Sequence, residues 1–123
     1  MSQLPYQYVV LRCVPRVDRE EFVNVGVVLY SQAAQFLSCA WALDEARLSA
    51  LAPELDLAEL RSALDATEAA CRGLTAAGEV PLGPRFGWLA APRSTVLQPG
   101  PVHGGVTDDP DAELARLLDM LVR

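Results

Sequence analysis

Apolar and polar residues alternate through the N-terminal third of the chain, and this alternation predicts three β-strands. Residues 6–15 and 22–30 are rich in β-branched and aromatic side chains, and the polar segment 16–21 joins them. A third run, residues 34–43, carries apolar side chains at alternate positions after a short turn. We therefore expect a three-stranded antiparallel meander at the start of the domain.

The same alternation assigns the side chains of the second strand to the two faces of the sheet. One face carries only aliphatic side chains and should meet the helices: Val23, Val25, Val27 and Leu29. The other face carries Phe22, Asn24, Gly26, Val28 and Tyr30. In a register that keeps like faces together, Arg12 lies opposite Asn24 and Val10 lies opposite Gly26.

Capping residues and helical spacing predict three helices. Asp44 is placed to cap a short helix that ends before Pro53, and Asp56 should cap a second helix that runs to about Leu74. Asp109 precedes a proline, which predicts the first turn of a terminal helix. Apolar stripes on the second and terminal helices should face the core: Leu57, Leu60, Leu64, Thr67, Cys71 and Leu74, then Leu114, Leu117, Leu118 and Leu121.

Proline and glycine dominate residues 81–105, which predicts irregular structure with short strands near residues 87–90 and 94–98. The chain as a whole is long enough for one hydrophobic core and shows no linker. We therefore expect a single α+β domain over residues 1–123. An antiparallel sheet of about four to five strands should pack against two or three helices.

Composition excludes several classes of function. All ten basic residues are arginine, which excludes Schiff-base chemistry and the phosphate-binding lysine of a P-loop. A net charge of −6 argues against nucleic-acid binding, because that binding needs basic residues at the phosphates. The N-terminus shows no signal-peptide pattern and no apolar run is long enough to cross a membrane, so a cytoplasmic location is expected.

The residue types that bind metals are too few and too scattered to predict a metal site. Cys13, Cys39 and Cys71 are widely spaced, which fits neither a disulfide framework nor the close pairs of a zinc site. We expect free, buried thiols. A single histidine with dispersed carboxylates makes no ligand set, so neither a metal nor a cofactor is expected.

The first candidate site is a polar and aromatic surface around Arg12 and Asn24. If the helices leave this face free, tyrosines would surround the two residues, and Gly26 would leave a gap for a ligand or a partner's backbone. The alternative is structural. Arg12 would pair with Glu21, Asn24 would bond a nearby turn, and Gly26 would mark a bulge or let a tyrosine ring lie over it.

The second candidate lies in residues 88–109, where polar side chains crowd into a glycine- and proline-rich segment. Arg93 and His103 could approach Arg12, and two guanidinium groups would suit a carboxylate or phosphate. His103 is the only histidine, so it would carry any imidazole-based proton transfer. A triad of Ser94, His103 and Asp109 can be written, but no nucleophile elbow surrounds the serine.

Each residue of the second candidate also has an ordinary structural explanation. Arg93 would pair with Asp108 or Glu113, Ser94 would begin a turn, and Asp109 would cap the last helix. Phe86 and Trp88 would anchor the core.

Two stretches resemble a known protein family: LRCVPRVDREEFVNVGVVLY and RFGWLAAPRSTVLQPGPVHGGVTDDP. They are similar to the domain-of-unknown-function family numbered 3037, a group of small bacterial proteins, and the likeness covers nearly the whole chain. The resemblance implies a recurrent pattern at Arg12, Pro15, Glu21, Asn24, Gly26, Trp88, Arg93, Ser94, Pro101, His103 and Asp109. It also implies a relation to HipA-like kinases, as in toxin–antitoxin pairs, but it implies no activity.

Three functions remain open. The preferred hypothesis is a non-enzymatic binding or protein-interaction module, with the Arg12 surface or a free strand edge as the contact. The candidate partner-binding residues are Arg12, Glu21, Asn24, Gly26, Trp88, Arg93, Ser94 and His103. The rival is an enzyme or binder for a phosphorylated or carboxylated small molecule, in which Arg12 and Arg93 hold the anion and His103 or Glu21 moves a proton. The third is a structural homodimer.

Overall fold

The computed structural model describes residues 3–73 and 80–123, and its strands form one antiparallel sheet. β1 (Leu4–Cys13), β2 (Val23–Ser31) and β3 (Phe36–Trp41) form a meander in the order β3-β2-β1. β4 (Leu97–Pro99) and β5 (His103–Thr107) both pair with the other edge of β1, at different positions along it. The predicted antiparallel sheet and its N-terminal meander are therefore confirmed.

Four α-helices complete the described part of the fold: α1 (Glu45–Leu51), α2 (Leu57–Cys71), α3 (Leu82–Ala90) and α4 (Pro110–Leu121). The three predicted caps are confirmed. The carboxylate of Asp44 accepts from Arg47 N, that of Asp56 from Glu59 N, and that of Asp109 from Ala112 N. The predicted end of α2 near Leu74 lies outside the described residues.

The helices cover both faces of the sheet, whereas the sequence predicted helices on one face. Leu48, Leu60 and Phe86, from α1, α2 and α3, pack with Val9 and other side chains on one face. α4 packs on the opposite face over β2 and β3, where its leucines meet Tyr6, Val27 and Leu29. The sheet therefore separates two hydrophobic cores.

The glycine- and proline-rich segment contains a helix that its composition did not predict. Residues 82–90 form α3, so the predicted short strand at residues 87–90 is wrong. Phe86 and Leu89 are buried on this helix, and their burial outweighs the low helix propensity of its glycines and proline. The second predicted short strand is displaced, because β4 begins at Leu97.

A β-bulge in β2 corrects the predicted faces. Arg12 pairs with Asn24 as predicted, but Leu11 pairs with Gly26, so Val25 is an extra residue on β2. Beyond the bulge every side chain changes sides. Val27 and Leu29 therefore face α4, while Gly26, Val28 and Tyr30 face the other three helices.

Gly26 is consequently a buried packing position, and its predicted place in the Arg12 surface is wrong. A Cβ at Gly26 would lie 3.0 Å from both Ala40 O and Trp41 Cβ, and 3.3 Å from Leu11 Cδ1. Of the two structural alternatives for Gly26, the bulge is present beside it, and the three atoms nearest to its Cβ position are not from a tyrosine. A tyrosine lies instead against Gly105 on β5, where a Cβ would lie 2.6 Å from the hydroxyl of Tyr6.

A charged cluster joins Tyr6 to α4. The Tyr6 hydroxyl donates to Glu113, and Arg116 donates to the same carboxylate through two nitrogens at 2.7 and 2.8 Å. The bond from Arg116, with help from Tyr6, lowers the pKa of Glu113 to about 2. Burial, with the bond to Glu113, raises the pKa of Tyr6 to about 12.

Replacement of Glu113 by glutamine should cost about 1–3 kcal/mol of unfolding free energy at neutral pH, because charged hydrogen bonds to Tyr6 and Arg116 are lost. The pKa of Glu113 is lowered on folding, so its stabilisation is complete above about pH 4.5 and is lost as the pH falls toward 2. Urea titrations between pH 7 and pH 2.5 should therefore show a shallower acid loss for Glu113→Gln than for the wild type.

Glu45→Gln is the matched control, because Glu45 forms an exposed ion pair with Arg61. Pairs of that kind contribute about 0–1 kcal/mol. Equal acid sensitivity in the wild type and Glu113→Gln would contradict the assignment.

Within residues 3–73 and 80–123, the structure shows no helix with the length and apolar character of a membrane span.

Cys13 and Cys71 are buried and Cys39 is half-buried, and all three are free thiols. Burial raises the pKa of Cys13 to about 11 and that of Cys71 to about 12, which disfavours their reactive thiolate forms.

Candidate functional site

Arg12 lies on the central strand between two polar neighbours. Asn24 is its partner on β2 and Gln98 is its partner on β4, so three polar side chains form a row across the sheet on the α4 side. Asn24 Nδ2 donates to Leu121 O over 3.1 Å and fixes the last turn of α4 to the sheet. The side-chain amide of Gln98 donates from Nε2 to Thr95 O.

The guanidinium of Arg12 is held in place without an acidic partner. Its Cζ lies 4.2 Å from the centroid of the Phe22 ring, a cation–π contact. On its other side is the backbone of Gly100, where a Cβ would lie 3.1 Å from Arg12 Cζ. The Nε atom is buried and has no hydrogen-bond partner among the described residues. The proposed structural pairing with Glu21 does not occur, because Glu21 bonds Arg19.

Part of the α4 side of the sheet is left open. α4 covers β2 and β3 and reaches Tyr6, but Val10 and Arg12 of β1 remain half-buried. Farther along the same strand, the His103 ring stacks on Tyr8 with centroids 5.3 Å apart, and His103 is exposed. We call this surface the Arg12 face and define it by Tyr8, Val10, Arg12, Phe22, Gln98 and His103.

The Arg12 face runs along β1. The Cα atoms of Tyr8 and Arg12 are four residues apart on this strand, which corresponds to about 13 Å at about 3.3 Å per residue. His103 pairs with Tyr8 and therefore stands at the Tyr8 end of the face. Asp109 caps α4. The arrangement can therefore bind an anionic group at one end and an apolar or aromatic group at the other.

Trp88, Arg93 and Ser94 lie elsewhere. Trp88 projects from α3, which packs on the opposite face of the sheet, and its side chain is 60% exposed. The prediction of a core anchor is therefore wrong for Trp88, whereas it is confirmed for Phe86, which is buried. Arg93 Cζ lies 4.9 Å from the Trp88 ring centroid, and its guanidinium donates to the carbonyls of Trp88 and Ala91. Arg93 thus bonds neither Asp108 nor Glu113. Ser94 is exposed in the loop that follows.

Glu21 is exposed and belongs to a separate cavity of about 710 Å³. Arg19 lowers the pKa of Glu21 by a hydrogen bond, and Arg16 is paired with Asp18. Both arginines that line the cavity are therefore already paired with carboxylates. Within the described ranges, no group of three or more His, Cys, Asp or Glu residues could hold a metal ion.

Of the eight sequence candidates, the structure brings Arg12 and Asn24 together and places His103 on the same face. The other five lie apart from them: Glu21, Gly26, Trp88, Arg93 and Ser94. The sequence analysis missed Gln98 and Gly100, which border the guanidinium. The sequence carried no signal for them, because their proximity to Arg12 depends on the pairing of β4 with β1.

Comparison with known proteins gives one match. The family model described as "Protein of unknown function (DUF3037)" matches residues 8–122, which is nearly the whole chain. Neither the curated proteins nor the solved structures contain a match. Because the match runs from the middle of β1 to the end of α4 and includes the Arg12 face, the chain belongs to the DUF3037 family.

Proposed function

We propose that this protein is a non-enzymatic cytoplasmic binding module whose contact surface is the Arg12 face. The observation that carries the proposal is the state of Arg12. Its guanidinium is half-buried and stacked on Phe22, and it has no acidic partner in the described part of the chain. The chain carries 16 acidic and 10 basic residues, so carboxylates outnumber the arginines. A shortage of carboxylates therefore does not explain why Arg12 has no acidic partner in the described part of the chain.

The shape of the surface favours a protein as the ligand. The Arg12 face combines a fixed cation, an exposed Phe22 edge and the stacked rings of Tyr8 and His103 along the part of β1 that α4 leaves uncovered. Arginine and aromatic side chains are enriched in protein interfaces, where they contribute most of the binding energy. A carboxylate on the partner would receive bidentate donation from Arg12. A HipA-like kinase, which the family resemblance suggests, is the first partner to test.

Arg12→Ala should weaken binding of the partner at least tenfold, which corresponds to about 1.4 kcal/mol. The partner is first recovered by co-purification from the native host and then purified, and affinity is measured by calorimetry. Arg12→Lys should restore only part of the affinity, because an ammonium cannot donate in the planar bidentate mode. The unfolding free energy of Arg12→Ala should change by about 1 kcal/mol, since the contacts of Arg12 with the Phe22 ring and the Gly100 backbone are lost.

Arg47→Ala is the matched control, because Arg47 is exposed on α1 and its removal changes the net charge equally. A partner that binds wild type and Arg12→Ala with equal affinity would contradict the proposal. Direct binding of inorganic phosphate or acetate to the wild type, without any protein partner recovered, would favour the rival small-molecule function.

A further inference from the structure

β5 is an edge strand with an unpaired side. Within the part of the chain that the structure describes, β1 is the only strand that pairs with β5. Exposed edges of this kind add further strands, and proteins usually block them with charged residues. Residues 94–107 contain no lysine, arginine, aspartate or glutamate, although 21% of the chain is charged. The β5 edge therefore lacks the usual charged protection.

The pairing with β1 shows which backbone groups face outward. Val10 O accepts from Gly100 N and Val14 N donates to Val96 O, so the even-numbered residues of β1 direct their backbone groups toward β4 and β5. Tyr6 and Tyr8 consequently bond Gly105 and His103. Alternation along β5 then directs the N–H and C=O groups of Gly104 and Val106 toward the open edge.

The exposed side chains along this edge are arranged symmetrically about Gly104. Val102 lies two residues before it and is 48% exposed, and Val106 lies two residues after it and is 58% exposed. If two copies of the strand pair antiparallel about Gly104, each Val102 lies opposite the Val106 of the other copy. Both exposed valine pairs would be buried by one twofold contact.

We propose that two copies of this chain associate through β5 to form a continuous sheet across a twofold axis at Gly104. Val102 extends β5 by one residue in this arrangement. Pro101 of one copy then lies opposite Thr107 of the other copy, at a position that makes no backbone hydrogen bond between the copies. The missing N–H of the proline therefore removes no hydrogen bond from the contact. A second copy fits better than a charged partner, because the edge is uncharged and its valine spacing is self-complementary.

A cysteine at position 104 tests the axis directly. The Cα atoms of a hydrogen-bonded antiparallel pair lie about 5.5 Å apart, within the range that a disulfide spans. Position 104 accepts a side chain, because the nearest atom to a Cβ there is Tyr6 O at 3.5 Å. Under mild oxidation, Gly104→Cys should give a disulfide-linked dimer on a non-reducing gel. Val17→Cys, at an exposed valine outside the sheet, should remain monomeric.

Val106→Lys provides the second test, because a lysine on the edge opposes strand addition. Sedimentation of the wild type should give twice the monomer mass, and Val106→Lys should give the monomer mass with unchanged circular dichroism. Val17→Lys should remain dimeric, and so should Arg12→Ala, which separates this contact from the Arg12 face. A monomeric wild type at its highest soluble concentration would overturn the proposal. A wild-type dimer that Val106→Lys leaves intact would overturn it equally.

Discussion

Replacement of Gly26 by valine is expected to destabilise the protein by about 3 kcal/mol or more, at the upper end of overpacking costs. A Cβ at this position would already lie 3.0 Å from Ala40 O, which is backbone and cannot rotate away. The two γ-methyl groups of valine would press further against Trp41 and Leu11. Urea unfolding should show the loss, and near-ultraviolet circular dichroism should show a changed environment for Trp41.

Gly87→Val is the matched control for this substitution. Gly87 lies on α3, and a Cβ there would meet no atom within 4 Å. Its unfolding free energy should stay within about 0.5 kcal/mol of the wild-type value, as for ordinary surface substitutions. If both variants lost the same stability, the effect would come from the valine itself and not from the close approach of β2 and β3 at Gly26.

Replacement of Leu117 by alanine is expected to cost about 2–5 kcal/mol, because Leu117 is almost fully buried between α4 and the sheet. The loss combines the removed apolar contact with the cavity that remains under Val27 and Leu29. Thermal and urea unfolding should both report it. The near-ultraviolet signal of Tyr6 should also change, since Tyr6 packs in the same cluster.

Met120→Ala is the control on the same helix, because Met120 is among the exposed large apolar residues. Its effect should not exceed about 0.5 kcal/mol. A small effect of Leu117→Ala would mean that α4 is only loosely attached. The Arg12 face would then extend under the helix, and the proposed contact surface would need to be redrawn.

The dependence of the Arg12 face on α4 has a functional consequence. α4 covers the β2–β3 half of one face and leaves Val10, Arg12 and His103 accessible. The hydrogen bond from Asn24 to Leu121 sets the boundary between the covered and open halves. Asn24 therefore holds the last turn of α4 beside the Arg12 face.

The sequence by itself determined the features that depend on neighbours along the chain. Strand alternation gave the meander and the pairing of Arg12 with Asn24, and Asp44, Asp56 and Asp109 marked three helix starts correctly. These signals are local, because a cap or an alternating pattern acts within a few residues.

Tertiary structure alone decided the rest, since each remaining feature depends on residues that are distant in the chain. One extra residue at Val25 moved Gly26 into the core and turned Val27 and Leu29 toward α4. Burial of Phe86 made a helix from a segment rich in glycine and proline. β4 pairs with β1 beside Arg12 without supplying an acidic partner, and β5 pairs farther along β1 and leaves one strand edge open. These two pairings join segments that are about 85 residues or more apart in the chain, and no local sequence pattern predicted them.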